Sequence, residues 1–222
     1  FLNQFEPGSV MKPFVVAALL ESSRLSLNEF IDTPMTLKVG DKTFKDVVNH
    51  DPKLTPWDIL RYSSNTGMIH LSERLSNQEL YAWLDHFDFG REMDIPFTYT
   101  RPGLLNSPIT ARWYPQDHAS ITIGQGISTT TLQLATAYSI FANDGLYIAP
   151  YLVEGSVIPE PKRLLSATTA TTMRSMLQYV IQEGSLNEIM LPELNIAGKT
   201  GTADYYDERL GKYVFDEFTL TF

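Results

Sequence analysis

The apolar positions near the start of the chain predict a buried helix. Residues 9–23 follow a helical pattern, and their apolar positions from Phe14 to Leu20 surround the helix axis rather than forming one face. Pro13 places the first turn at Ser9 to Lys12, because proline is tolerated only before its missing N–H would be needed. This segment is therefore expected to lie inside the protein.

Capping patterns predict the starts of the later helices. Thr55 fits an N-cap with Pro56 at the first helical position, and Thr130 with Gln133 fits a capping box. The predicted helices run from Pro56 to about Tyr62, over 66–75, over 77–87 after Ser76, from Thr130 until Gly145 closes it, and from Ser166 to before Gly184.

The other segments predict strands and one long loop. Residues 35–48 are expected to be extended around a turn at Gly40, and 194–204 and 212–222 are expected to be two strands around a polar turn. Residues 90–116 are rich in proline and aromatic residues without periodicity, which predicts a long loop. The pattern thus describes a mostly helical chain with a sheet at its C-terminal end.

Composition excludes several classes of protein. The 222 residues have a formal net charge of −9, which argues against a nucleic-acid binder or a polybasic contact with anionic lipid. The absence of cysteine excludes disulfides, thiolate zinc sites and a cysteine nucleophile. The longest apolar run, Phe14 to Leu20, is too short to cross a bilayer, and residues 1–8 contain no signal-peptide pattern.

Three short motifs contain side chains that could take part in catalysis or binding. Ser9 and Lys12 are three positions apart, so on a helix their side chains share a face, and a desolvated lysine could act as a base for the serine. Such a pair also occurs by chance about 0.6 times in a chain of this composition, so on its own it favours a helix cap beside a surface lysine.

The second and third motifs differ in specificity. Ser63-Ser64-Asn65 ends a well-capped helix, but the same S-x-N pattern occurs at Ser26 and Ser185 and is usually turn chemistry. Lys199-Thr200-Gly201 is rarer, with about 0.04 chance occurrences. Gly201 in a strand edge would let a substrate peptide approach as an added strand, although an edge lysine also simply discourages aggregation.

Together the motifs resemble a known set. S-x-x-K, an S-x-N-type element and K-T-G in this order are typical of penicillin-binding proteins and class A β-lactamases. The surrounding sequence extends the likeness: it resembles class B penicillin-binding proteins in E-P-G-S-V-M-K-P-F from Glu6, in L-R-Y-S-S-N from Leu60, in G-Q-G-I from Gly124, in T-L-Q-L-A from Thr131, in A-N-D-G from Ala142 and in G-K-T-G-T-A from Gly198.

The resemblance implies a serine-type D,D-transpeptidase that cross-links peptidoglycan stem peptides, needs no metal or organic cofactor and is inhibited by β-lactams. It implies that Ser9 is the nucleophile and Lys12 its base, and that Ser63 relays a proton to the leaving amine. It implies the remaining roles as follows: Asn65 holds the substrate amide, Lys199 tunes the field, Gly201 lies on the substrate-binding strand, Thr200 and Thr202 receive the terminal carboxylate, and the N–H groups of Ser9 and Thr202 form the oxyanion hole.

The fold implied is α+β, with an antiparallel sheet flanked by helices plus a mostly helical subdomain. Residues 24–165 would form the helical subdomain, and 1–23 with 166–222 the helix and sheet portion. The family's sheet has five strands, so we expect an incomplete sheet here, with the pedestal domain and membrane anchor outside this sequence. The implied location is the extracytoplasmic face of a bacterial membrane, with cell-division or elongation proteins as partners.

Other functions remain open from the sequence. A D,D-carboxypeptidase or serine β-lactamase would pass the acyl group to water, although no E-x-x-x-N element of the class A kind is visible. A β-lactam sensor or non-catalytic scaffold is a further alternative. A Ser-His-Asp hydrolase is disfavoured because no G-x-S-x-G elbow exists, and the spacing of the four histidines disfavours a zincin. The S-S-N form favours the cell-division type of transpeptidase.

Overall fold

Seven α-helices form the framework of the described residues. The computed structural model describes residues 2–95, 99–151, 153, 160–184, 193–207 and 211–222. Within these ranges the helices are α1 (Lys12–Glu21), α2 (Pro56–Arg61), α3 (Asn65–Ser72), α4 (Asn77–His86), α5 (Pro115–Thr122), α6 (Thr131–Ala142) and α7 (Ala167–Glu183). None of them is both long enough and apolar enough to cross a membrane.

The described strands form antiparallel pairs. The described strands are β1 (Gln4–Phe5), β2 (Ile31–Asp32), β3 (Thr36–Val39), β4 (Lys42–Lys45), β5 (Lys53–Leu54), β6 (Thr129–Thr130), β7 (Leu146–Tyr147), β8 (Lys162–Arg163), β9 (Gly201–Asp207) and β10 (Lys212–Thr221). They pair as β1 with β6, β2 with β5, β3 with β4, β7 with β8 and β9 with β10. Helices combined with antiparallel pairs confirm the predicted α+β class.

The core surrounds α1. Every residue of this helix from Lys12 to Leu19 is buried, as its all-round apolar pattern predicted. Phe14 is the centre of an aromatic cluster, with ring centroids 5.0–5.4 Å from those of its neighbours Phe87, Phe89, Tyr138 and Phe141. Burying an aromatic side chain contributes about 1.5–3 kcal/mol, so this cluster anchors the start of α1 firmly in the core.

Local capping signals predicted most helices correctly. Thr55, Ser76, Thr130 and Ser166 each accept a hydrogen bond from a backbone N–H in the first turn of the following helix. The hairpin of β3 and β4 also turns at Gly40 as expected, since Gly40 has a φ of +58°.

Three expectations need correction. The segment 90–116, predicted as a loop, contains the start of α5 at Pro115. The strand expected over 194–204 begins only at Gly201, so Lys199 and Thr200 precede it. The helix expected over 66–75 is α3, which includes Asn65 and ends at Ser72. The chance motif at Ser185 and part of the predicted polar turn after β9 lie outside the described residues.

Two glycines allow close backbone contacts around a tight turn, Gly8–Met11, that precedes α1. This turn meets β9 on one side and the segment at Gly124 on the other. Gly8 has a φ of +62°, and a Cβ there would lie 2.6 Å from the carbonyl oxygen of Thr202 in β9. Gly124 has a φ of +79°, and its carbonyl accepts a hydrogen bond from Gly8 N at 2.9 Å. Any side chain at Gly8 would therefore separate the turn from β9.

Candidate active site

Ser9 and Lys12 lie on consecutive turns at the start of α1. Ser9 belongs to the 3-10 turn Gly8–Met11, and Lys12 is the first residue of the helix. Ser9 is partly exposed, whereas Lys12 is fully buried. The hydroxyl of Tyr138 donates to the carbonyl oxygen of Val10 at 2.9 Å and so ties the turn to α6. The start of α1 thus combines a partly exposed serine with a buried lysine three residues later.

The amine of Lys12 is held by the loop between α2 and α3. Its Nζ donates to the carbonyl oxygen of Ser63 at 2.6 Å and to Oδ1 of Asn65 at 2.7 Å, and lies 3.3 Å from Oγ of Ser63. Three acceptors therefore surround a group that has three donor protons when charged. If Lys12 loses a proton, its lone pair becomes available within this same cluster.

Ser63 receives a second lysine from the opposite end of the sequence. Nζ of Lys199 donates to Oγ of Ser63 at 3.0 Å and to the carbonyl oxygen of Thr200 at 2.9 Å. Ser63 itself has a φ of +56°, a left-handed conformation that costs about 1–3 kcal/mol in a non-glycine residue. The strained backbone aims one hydroxyl at two lysines, as a proton relay would require.

A groove of about 240 Å³ joins most of the predicted site residues. Its lining consists of Ser9, Val47, Val48, Tyr62, Ser63, Asn65, Ile123, Gln125, Thr200 and Thr202. Lys12 and Lys199 are buried beside it through their bonds to Ser63. Gly201 lies behind it, where a Cβ would come 2.7 Å from the carbonyl oxygen of Pro7. All eight predicted residues therefore lie in or directly against one groove.

Both lysines of the site have a lowered pKa. Burial holds the pKa of Lys12 well below its usual value, the positive charge of Lys199 lowers it further, and the charge of Asp46 opposes both effects. Burial lowers the pKa of Lys199 to about 8. A lysine whose charged form is disfavoured can accept a proton near neutral pH, which is the property of a general base.

Several residues of the site were not singled out from the sequence. Val47 and Val48 line the groove but belong to no motif, and Tyr62 lines it within the L-R-Y-S-S-N segment without having been assigned a role. Gln125 also lines it, and the G-Q-G segment was a signal that could have identified it. Asp46 is buried next to Asn65, and nothing in the sequence pattern distinguishes it from an ordinary loop aspartate.

A larger cavity of about 370 Å³ borders the groove at Gln125 but contains none of the eight predicted residues. The described residues also include no group of three or more histidine, aspartate or glutamate side chains arranged to hold a metal ion.

Comparison with known proteins identifies the family. Residues 1–221 match the family described as penicillin binding protein transpeptidase domain. The chain belongs to the penicillin-binding protein transpeptidase family. Among its relatives, penicillin-binding protein PbpB of Mycolicibacterium smegmatis is 31% identical over 99% of this chain and 36% of its own length. Probable peptidoglycan D,D-transpeptidase PenA of Neisseria gonorrhoeae is 30% identical over 99% of this chain and 37% of its own length.

Solved transpeptidase structures share the fold. The transpeptidase domain of penicillin-binding protein 3 from Burkholderia pseudomallei superposes with a TM-score of 0.88 at 26% identity, covering 99% of this chain and 66% of that one. Penicillin-binding protein 3 of Mycobacterium tuberculosis, complexed with aztreonam, gives 0.89 at 31% identity, covering 98% and 52%. The predicted class B resemblance is confirmed, and the chain spans about a third of the length of these curated relatives.

Proposed function

We propose that the chain contains the acyl-transfer site of a peptidoglycan D,D-transpeptidase that β-lactams inactivate. The observation that supports this most directly is the convergence of Lys12 and Lys199 on Oγ of Ser63 beside a groove that Ser9 lines. A buried amine of lowered pKa, bound by residues that line the same groove as a serine on a tight turn, is the arrangement expected of an activated nucleophile.

In the proposed acylation, Lys12 accepts the proton of Ser9 Oγ as that oxygen attacks the carbonyl carbon of the penultimate D-alanine. The amide bond to the terminal D-alanine breaks, and Ser63 passes its proton to the leaving amine while it takes up the proton that Lys12 accepted from Ser9. The product is an acyl ester on Ser9. In the second half, an amine of a neighbouring stem attacks the ester, forms the cross-link and returns the proton to the Ser9 oxygen.

The other groups would hold the substrate in place. Thr200, just before β9, and Thr202, at its start, would bind the terminal carboxylate next to the Lys199 charge, and Asn65 would bind the substrate amide. The backbone N–H groups of Ser9 and Thr202 would form the oxyanion hole. The close approach of the Gly8 turn to Thr202 supports this assignment, because both donors must face one oxygen.

We also propose the wider setting implied by the resemblance. Residues 24–165 would act as a helical subdomain against a unit formed by 1–23 and 166–222. The full-length protein would work at the extracytoplasmic face of a bacterial membrane, with a role in cell division rather than elongation. The S-S-N form of the second motif supports this role, and its partners would be proteins of the division complex.

The test is the intact mass of the protein after incubation with benzylpenicillin, with Ser9→Ala as control. We expect one penicilloyl adduct on the wild type, none on Ser9→Ala, and slow loss of the adduct. Absence of an adduct on folded wild-type protein would contradict the proposal. Rapid hydrolysis would instead indicate a carboxypeptidase or β-lactamase, which passes the acyl group to water.

A further inference from the structure

The carboxylate of Asp46 lies directly behind the loop that holds Lys12. Asp46 follows β4, and its side chain is only 2% exposed. Its oxygens accept five hydrogen bonds, from Asn65 N at 2.5 Å, Thr66 N at 3.1 Å, Ser64 Oγ at 2.5 Å, Thr66 Oγ1 at 3.0 Å and His50 Nε2 at 2.8 Å. Few buried carboxylates are so fully coordinated, since two oxygens offer about four lone pairs.

Three of the donor residues are consecutive and start α3. The first N–H groups of a helix have no partner within the helix, and here Asp46 accepts from two of them. It thereby acts as an anionic cap supplied from 19 positions upstream rather than by the local N-cap residue. Ser64, the local N-cap, accepts from Gly67 N at 2.9 Å and donates its own hydroxyl to Asp46. Residues 64–66 are therefore fixed as one unit.

That unit determines where Lys12 is bound. Asn65 is held at its backbone by Asp46, and its Nδ2 donates to the carbonyl oxygen of Lys45 at 2.8 Å. Its remaining polar atom, Oδ1, accepts from Lys12 Nζ at 2.7 Å. The orientation of the Asn65 amide, and with it one wall of the Lys12 site, thus depends on the strand end formed by Lys45 and Asp46.

His50 closes the cluster from the far side. Its buried ring places Nε2 against Asp46 and Nδ1 2.8 Å from the carbonyl oxygen of Asp51, so both ring nitrogens face acceptors. The ring also packs at 5.8 Å against Tyr62, which lines the groove. His50 therefore fixes the orientation of the Asp46 carboxylate from the side opposite to residues 64–66.

We propose that Asp46 is a positioning residue of the acyl-transfer site, which fixes residues 64–66 so that Asn65 and Ser63 hold the amine of Lys12. The inference rests on the proposed function for its catalytic consequence. The titratable groups around Lys12 are Lys199, Asp46 and, behind Asp46, His50. Besides its geometric role, Asp46 raises the pKa of Lys12 against burial and Lys199.

The decisive variant is Asp46→Asn, compared with Asp58→Asn as matched control. Asp58 is also a carboxylate that binds near a helix start, because it lies in the first turn of α2 and accepts from Thr55 Oγ1 at 2.7 Å and from Tyr179 OH at 3.0 Å. It does not bind the segment that holds Lys12. Both variants are made in the full-length chain. The rate of benzylpenicillin acylation is measured as a function of pH, and thermal unfolding is measured beside it.

We expect Asp46→Asn to lower the maximal acylation rate about 100-fold, the size of effect that misplacement of a reacting group produces. The acid limb of its pH–rate profile should move to lower pH, because loss of the negative charge lowers the pKa of Lys12 further. Asp58→Asn should lower the stability but leave the maximal acylation rate and the position of the acid limb as in the wild type. A folded Asp46→Asn protein with the wild-type rate and limb would overturn the inference.

Two further measurements keep the outcomes separable. If Asp46→Asn does not fold, Thr66→Val removes one hydrogen bond to Asp46 without changing charge, and it should lower the rate severalfold with the limb unmoved; an unchanged rate would overturn the inference. If the wild type forms no adduct on Ser9, the proposed function fails. The inference then stands or falls on whether Asp46→Asn lowers the Lys12 pKa in an NMR titration and speeds hydrogen exchange at Asn65 and Thr66.

Discussion

Nζ of Lys12 lies 2.7 Å from Oδ1 of Asn65, although 53 positions separate the two residues. The first motif therefore provides the amine, and the second motif provides the neutral acceptor that holds it. A neutral amide is important here, because it binds the amine without adding a negative charge that would stabilise its protonated form.

The charge of residue 65 should accordingly control the protonation of Lys12. In Asn65→Asp, a carboxylate next to the amine raises the Lys12 pKa, so we expect the acid limb of acylation to move to higher pH and the rate at neutral pH to fall about tenfold or more. Asn77→Asp is the matched control, since Asn77 also begins a helix behind a serine cap. An unmoved limb in folded Asn65→Asp would show that Lys12 is not the base.

Removal of the Lys199 charge should shift the Lys12 pKa in the same direction as Asn65→Asp. Lys199 lowers the Lys12 pKa, so its removal in Lys199→Gln raises that pKa and should move the acid limb of acylation to higher pH. In the wild type, the rate should also decline above about pH 8, where Lys199 itself loses its charge. Lys162→Gln, an exposed position in β8, should leave the whole profile unchanged. A Lys199→Gln profile that matches the wild type would contradict this assignment.

The approach of the Ser9 turn to β9 should tolerate no side chain at Gly8. Gly8→Ala places a Cβ 2.6 Å from the Thr202 carbonyl oxygen in a left-handed conformation, so we expect loss of acylation and of more stability than the 1–2 kcal/mol or so that the conformation alone costs. Gly126→Ala has a φ of +68° but no atom within 4 Å of its Cβ, and should show only the conformational cost. Thermal unfolding measures the stability of each variant, and adduct formation measures its acylation. Equal losses in Gly8→Ala and Gly126→Ala would argue against a role for the contact between Gly8 and Thr202.

A helix cap remote from the groove should affect stability alone. Ser76→Ala removes the capping box of α4 and should cost about 1 kcal/mol. For a chain of this size, that lowers the melting temperature by about 2–4 °C. Acylation by benzylpenicillin should be unchanged well below the melting temperature. Ser175→Ala, at an exposed position within α7, is the control and should be nearly neutral; a slower acylation in Ser76→Ala would reveal coupling that the structure does not indicate.

Local signals explain what could be predicted from the sequence. The helices that begin at Thr55, Ser76, Thr130 and Ser166 were found because one side chain and a nearby N–H decide each start. The helix α5 was missed because its N-cap is Tyr114, which is not a typical capping residue, although Pro115 and the bond from Tyr114 N to Asp117 at 2.7 Å mark it in retrospect.

Contacts between residues distant in the sequence explain what could not be predicted. The two-residue strand β1 pairs with β6 more than 120 positions away, and two residues are too few to show a strand period. In the candidate site, motif residues were recognised because they resemble a known set. Asp46 was not, because its role depends on partners 18 to 20 positions ahead that only the folded backbone brings to it.

The hydrogen bond from Lys199 to Ser63 closes a loop of 136 residues. Closing so long a loop costs chain entropy that only many other contacts can offset, so this contact is expected to form among the last steps of folding. A chain that is still being synthesised or is only partly folded would then have Ser9 but not the contact between Lys199 and Ser63. Chemical reactivity would arise only with the finished fold, which makes β-lactam labelling a probe of complete folding as well as of catalysis.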